Sequence, residues 1–469
     1  ILHRCITASA EPPMSTLAPP APTPGFAGQA RAVLGLGLPL IGSHVAQFAL
    51  HVTDTVMLGW YGVTDLAAAA LGVTLFFAVF TLGAGFGHAV MPMVAAANAR
   101  AEPAEVRRAT RMGLWLSLLY ALAVLPAFLL SGPALAAMGQ DPAVAPLAGT
   151  YLAIAGLGLG PALMVMTLKS FLAALGRTQV VLWVTVAAVF VNAFANWVFI
   201  FGNLGAPELG AAGAAIASVL VQIATLAAML AYAATLPALK RYALLTRFWR
   251  PDWGALRRVF ALGLPIGLAM LAETGLFAAS AVMMGWLGPN PLAAHAIALE
   301  ITAMFFMVHM GLSNAATVLV GQARGRGDRP GLRAAARAAV ILSMGFATFT
   351  AGLYLVAGEW MVGLFLAPDN PDRAVIVPLG LALLWVAALF QLADGGQAMA
   401  MGLLRGIEDT RTPMLIAVVS YWLIGIPASY ALAFLAGFAG VGLWLGMVAG
   451  LTVAALALMA RSADRKSVV

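Results

Sequence analysis

The chain is written in long apolar stretches separated by short polar ones. Stretches rich in Leu, Ala, Val, Phe and Met recur at 33–58, 66–93, 112–131, 147–170, 180–201, 211–236, 259–286, 292–320, 338–358, 375–403, 414–437 and 439–460. Crossing a hydrocarbon core takes about 20 helical residues, and each stretch is long enough to do so. In lipid only a helix satisfies every backbone group within a single apolar segment. The pattern therefore predicts an all-α polytopic membrane protein with twelve transmembrane helices.

The pattern also repeats. A gapless shift of 226 residues places Gly37-Leu38-Pro39 on Gly263-Leu264-Pro265, Gly59-Trp60 on Gly285-Trp286, and Leu66-Ala67-Ala68 on Leu292-Ala293-Ala294. Each half holds an even number of spans, six, so both halves enter the membrane from the same side as parallel repeats. Transporters of this build place substrate and ion sites between or within such halves. The expected organisation is a disordered tail at 1–30, two parallel-related six-helix lobes at 31–236 and 259–460, a cytoplasmic linker at 237–258, and a cytoplasmic tail at 461–469. Residues 1–30 carry Pro12, Pro13, Pro19, Pro20, Pro22 and Pro24 and no apolar run long enough for a signal peptide. Met14 is read as a start site, which puts residues 1–13 upstream of it.

Composition agrees with the pattern. Hydrophobic residues make up 62% of the chain and charged residues 9%, with a mean hydropathy of +0.95, too little polar surface for a soluble globule of 469 residues. The net charge of +7 would point to acidic partners in a soluble chain, but here the basic residues map to loops. Of the 25 Lys and Arg, all but Arg373 fall on one side, with Lys169 and Arg177 flanking the turn after the fourth span and Arg405 and Arg411 following the tenth. The positive-inside rule then puts both termini in the cytoplasm, in a multi-pass protein of the inner membrane, with no nucleic-acid partner. Cys5 is the sole cysteine, so neither an internal disulfide nor a cysteine-rich metal site can form.

The polar residues inside the spans carry the candidate chemistry. An ionisable group at bilayer depth costs roughly 2.5–3.5 kcal/mol on insertion scales and is retained where it has a task. Asp54, Glu273, Glu300 and Asp394 are the acids in the membrane interior, and no span places Lys or Arg near its centre to pair with them. His44, Gln47, His51 and Asp54 follow one another at helical spacing and share one face. Asn192 and Asn196 form an i, i+4 pair, and Gln391, Asp394 and Gln397 follow at successive i, i+3 steps. His295 and His309 read as packing or hydrogen-bonding residues. Met270, Met283, Met284, Met304, Met307 and Met310 read as core or lipid-facing, with some lining an adaptable cavity.

The segments LGLPIGLAMLAETGLF, AAHAIALE, VGQARG and LFQLADGGQAMAMGLLRGIEDTRTP resemble the multidrug and toxic compound extrusion (MATE) family in its NorM-type branch, as do VTDTVMLGW, VNAFANWVF and GAPELGAAGAAIA in the first half. The resemblance spans residues 31–460. It implies two six-helix lobes around a cleft and export of mainly cationic organic and amphipathic drugs in exchange for Na+ or H+, with no other cofactor. It further implies a cation site at Glu273 and Asp394, able to take Na+, and a second site at Asp54, Asn192 and Asn196. Gln47, His51, Glu300, Gln391 and Gln397 are accessory polar candidates. The chain departs from the family at Phe390, where some members carry a Tyr, and at Glu300, where a neutral amide is more usual.

The mechanism expected from the residues alone is competition. A carboxylate in a low-dielectric cleft readily takes a proton or a metal cation, and an organic cation binds only when that charge is free. The other partners expected are membrane lipids, and the unit of function is a single chain. A flippase for lipid-linked or amphipathic substrates is the alternative within transport; it predicts a basic cavity. An enzyme would show a paired-carboxylate metal motif, HExxH or a serine with a nearby base, and the sequence has none of these.

Overall fold

The structure is a computed structural model that describes residues 25–246 and 248–464. Among the described residues twelve helices are long and apolar enough to cross a membrane. They are α1 Phe26–Tyr61, α2 Val63–Ala99, α3 Pro103–Leu129, α4 Ala145–Ala174, α5 Thr178–Phe199, α6 Gly210–Thr235, α7 Trp253–Gly285, α8 Pro289–Gly325, α9 Arg329–Gly363, α10 Arg373–Gly406, α11 Arg411–Leu435 and α12 Ala439–Ala463. The all-α architecture with twelve spans is therefore the one the hydropathy predicts. The helices outrun their apolar windows because a helix needs no apolar residues once it leaves the hydrocarbon. Thus α3 starts at Pro103 and carries Arg107, Arg108 and Arg111 on its first turns, and α1 is helical from Phe26. The tail expected at 1–30 lies outside the described residues as far as residue 24, as do Arg247 and residues 465–469.

Each half is built around one central helix. In the first half α4 packs against α2, α3 and α6; in the second α10 packs against α8, α9 and α12. Lipid supplies no hydrophobic force between helices, so close packing on small residues has to hold them. The central helices supply those residues, as Gly149, Gly156, Gly158 and Gly160 in α4 and Gly395, Gly396 and Gly402 in α10. Trp444, Tyr354, Leu384, Met447 and Leu451 centre the core of the second half. Pro39 in α1 and Pro265 in α7 sit inside their helices at positions related by the repeat.

The contacts between the halves gather at the end that carries the basic loops. Val33 of α1 packs with Leu312, Ala315 and Ala316 of α8, and His44 meets Asn314 at 3.0 Å. Here α2 and α7 touch backbone to backbone, where a Cβ on Gly85 would run into Gly263 and Gly267. Further along, α1 exposes Val52, Val56 and Trp60, and α7 exposes Val282, with Trp286 exposed just past its end.

Helix α11 is irregular. Its segments Val419–Gly425 and Ala431–Leu435 are π-helical, on either side of a short α turn that contains Pro427. Wide turns of this kind re-aim side chains and recur at functional sites. Here Trp422 donates from Nε1 to the Ala272 carbonyl at 3.1 Å, beside Glu273, while Tyr421 is fully buried.

Candidate functional site: two cavities of unlike polarity

Each half holds a cavity, lined by both polar and apolar side chains, at a corresponding place. In the second half it is lined by Glu273, Met270, Gln397, Met401, Arg405 and Thr410, among others. Gln397 donates from Nε2 to Glu273 Oε1 at 3.1 Å. Asp394 lies one turn before Gln397 on α10, buried, and feels the charge of Glu273. Gln391 is buried one turn earlier again.

Most of this cluster lacks partners within the protein. Asp394 Oδ1, both amide atoms of Gln391, Gln397 Oε1 and the hydroxyls of Tyr354 and Tyr421 are buried without a hydrogen-bond partner. Native proteins leave few buried polar atoms unpaired, and those they leave call for an explanation. The carboxylate, amide and hydroxyl oxygens gathered here are hard donors of the kind Na+ prefers, and the same carboxylates hold a proton equally well.

In the first half Asp54 is bound more completely. Asn196 donates from Nδ2 to Asp54 Oδ1 at 2.6 Å, and the Ser218 hydroxyl reaches Oδ2 at 3.4 Å. The same Asn196 amide reaches Asn192 Oδ1 at 3.3 Å. Two turns back along α1, Gln47 opens on a cavity lined also by Lys169, Thr185, Gln222 and Thr225. Lys169 donates from Nζ to Gln47 Oε1 at 3.1 Å.

The structure thus brings Glu273, Asp394, Gln391 and Gln397 together, and separately Asp54, Asn192 and Asn196. Glu300 and His51 are exposed and stand outside both sets of hydrogen bonds. His44 pairs with Asn314, and among the described residues no group of three His, Cys, Asp or Glu is placed to hold a metal. His295 accepts from Trp444 Nε1 at 3.0 Å and His309 pairs with Ser343 at 2.8 Å, which makes both packing residues. Met270 and Met310 line the second-half cavity, whereas Met283 and Met284 are core. Phe390, at the position where a Tyr was expected to matter, packs its ring against Phe277 and Trp444.

Two expectations need correction. Lys169 and Arg405 were assigned to loops, yet both lie inside helices and line the two cavities. A long side chain carries its charge several ångströms from its backbone, so nearness to the end of a span does not fix the depth of the charge. Sequence reasoning also missed Tyr421, Tyr354 and Ser218. A tyrosine in an apolar run is the one available signal, since a buried hydroxyl ordinarily has a partner.

Similarity to known proteins agrees with this architecture. The MatE family model matches residues 39–198 and 265–431, one segment in each half. The chain is 44% identical over 428 residues to a probable multidrug resistance protein NorM of Rhizobium meliloti (strain 1021), covering 91% of this chain and 92% of that protein. It is 42% identical to a protein of the same description from Agrobacterium fabrum, over 92% and 93% of the two chains. Among solved structures, the eukaryotic MATE transporter AtDTX14 superposes with a TM-score of 0.85 at 20% identity, covering 95% of this chain and 98% of that one. A multidrug resistance MATE transporter in an outward-facing conformation gives 0.82 at 20% identity, over 92% and 95%. With family segments matching in both halves and NorM proteins aligned along nearly its whole length, the chain belongs to the MatE family of membrane transporters, in its NorM-type branch.

Proposed function

We propose that this chain exports organic, mainly cationic and amphipathic compounds across the cytoplasmic membrane in exchange for Na+ or H+, by alternating access. The observation that carries this reading is the cluster of Glu273 and Asp394 with unpartnered donor atoms of Gln391, Gln397 and Tyr421 around them. An incoming Na+ or proton neutralises the acids and displaces an organic cation, and the loss of that ion frees them for the next one. Each charge moved through 100 mV contributes about 2.3 kcal/mol, to which the ion gradient adds. Asp54, Asn192 and Asn196 form a second cation site, and Gln47 and His51 are accessory.

The sidedness follows from charge. Basic residues crowd the end where the halves meet, which supports a cytoplasmic assignment for that end and both termini; on this reading the halves close inward and part outward. The linker 237–258 joins two lobes that rock against each other, and one chain is the working unit. The multidrug resistance proteins to which the chain is similar support the substrate class.

The test is drug efflux from proteoliposomes under separately imposed Na+ and pH gradients, with the wild type beside Glu273→Gln and Asp394→Asn. Gradient-driven efflux should be lost in both variants; efflux unchanged in both overturns the assignment.

A further inference from the structure

The cluster of Glu273 and Asp394 holds more charge than one coupling ion can balance. Two carboxylates with amide and hydroxyl oxygens around them make a set of hard donors that suits Ca2+, and Gln391, Gln397 and Tyr421 supply such oxygens, buried and unpartnered. The exchange proposed above needs a site that one Na+, one proton or one organic monocation can neutralise. With both acids ionised, a single monovalent cation leaves half of the charge uncompensated.

Arg405 supplies the missing charge. It lies in the last turn of α10, which ends at Gly406, and lines the same cavity as Glu273. Gln397, the donor to Glu273, stands two turns earlier on α10, and Met401, midway between them, lines the cavity as well. Helical side chains lean toward the N-terminus of their helix. That lean turns the guanidinium back along the cavity toward Gln397, and the charges of Arg405 and Glu273 act on each other. The acids closest to Arg405 along the chain belong to other arginines: Glu408 pairs with Arg258 at 2.7 Å and with Arg324 at 3.4 Å, and Asp409 pairs with Arg461 at 2.9 Å. Among the described residues Arg405 forms no ion pair of its own. An arginine that only held the loop between α10 and α11 would join that network. Left out of it and facing a cavity that contains an acid, Arg405 acts as a fixed charge at a distance.

We propose that Arg405 sets the charge selectivity of the second-half site: by offsetting one of the two carboxylates it makes the site take monovalent cations and reject divalent ones. The proposal rests on the reading of Glu273 and Asp394 as the cation site and adds which charge class that site accepts. With Arg405 counted, one net negative charge remains, and a single Na+, proton or organic monocation neutralises it. A divalent cation feels twice the repulsion from the guanidinium, so the same residue discriminates against Ca2+ and against dicationic organic compounds.

The test measures binding of radiolabelled Ca2+ and radiolabelled tetraphenylphosphonium to the purified full chain. Two turns of helix from Gln397 to Arg405 rise about 12 Å. A unit charge at that distance, at an effective dielectric constant of about 20, changes affinity about tenfold for a monovalent cation and about a hundredfold for a divalent one. Arg405→Gln should therefore bind tetraphenylphosphonium about tenfold and Ca2+ about a hundredfold more tightly than the wild type, and adding Glu273→Gln should remove most of both gains. Arg405→Lys, which keeps the charge, should stay near the wild type. Met401→Glu, which sets a carboxylate one turn from the guanidinium and offsets it, should give the same pair of gains and keeps the test alive where Arg405→Gln folds poorly. A Ca2+ affinity that stays put or falls in both Arg405→Gln and Met401→Glu overturns the proposal. So does an equal gain for the two cations, which would make Arg405 a steric plug rather than a charge. No gradient enters this measurement. A chain that shows the selectivity shift but exports nothing under either gradient would sink the efflux reading and leave this assignment standing, whereas a chain that exports normally and shows no shift would sink this assignment alone.

Discussion

The two halves share a scaffold and differ in how they treat their acids. In the first half Asp54 is held by Asn196 and Ser218, so both oxygens have donors within the protein. In the second, Glu273 has one amide donor and Asp394 keeps a buried oxygen with none. A carboxylate whose oxygens are already bonded gains less from a cation than one left bare. The difference teaches that a repeat can preserve helix packing while its polar sites diverge: on the proposed reading both halves hold a cation site, and the barer acids of the second exchange their ion more readily.

The sharpest way to break this comparison is to neutralise each acid in turn. Asp394→Asn keeps the shape of the side chain and removes the charge, so gradient-driven efflux in proteoliposomes should fall about a hundredfold, the upper end of couplings between sites. Asp54→Asn should cost less, about tenfold by the same assay, because an amide can still bond Ser218 and part of the local network. Equal losses in the two variants would erase the asymmetry. Tyr421→Phe comes next. Its hydroxyl is buried without a hydrogen-bond partner near Glu273 and Asp394, so its removal should raise the ion concentration for half-maximal efflux severalfold, on the order of one hydrogen bond, and leave thermal stability nearly unchanged.

The smallest effects belong to the charges at the basic end, which the comparison treats as scaffold. Arg258, about half exposed, pairs with Glu408 at 2.7 Å; Arg258→Ala should change unfolding in detergent by less than about 1 kcal/mol. Asp252 caps the start of α7 and pairs with Arg108 of α3. That guanidinium holds the Asp252 carboxyl below its ordinary value of 3.8, helped by the Ala255 backbone N–H. The stabilisation is therefore complete above that value and disappears as the pH falls through the lower folded one. Arg108→Ala should lower the unfolding temperature at neutral pH, and the gap from the wild type should close as the pH is taken below about 4.

Much of this was legible in the sequence, for identifiable reasons. Twelve spans could be read because hydrocarbon thickness fixes helix length, and the repeat because Gly37-Leu38-Pro39 and Gly263-Leu264-Pro265 are spelled alike. Glu273, Asp394 and Asp54 stood out because a lone acid in an apolar run is costly. Asn192 and Asn196 stood out because they share one helix face. Lys169 and Arg405 were misplaced because depth was read from the backbone, while the charge sits at the end of a long side chain. Tyr421 was hidden for another reason. It lies in a π-helical turn of α11, where the extra residue per turn shifts side chains off the 3.6-residue period by which faces are read.

The central claim is that a coupling ion and an organic cation compete for Glu273 and Asp394. The most direct measurement is ion release from the purified full chain, followed as Na+ or H+ appearing in solution when tetraphenylphosphonium is added. The account predicts release from the wild type and none from the Glu273→Gln, Asp394→Asn double variant. Equal release from both proteins, or no release of either ion from the wild type as the organic cation binds, would contradict it.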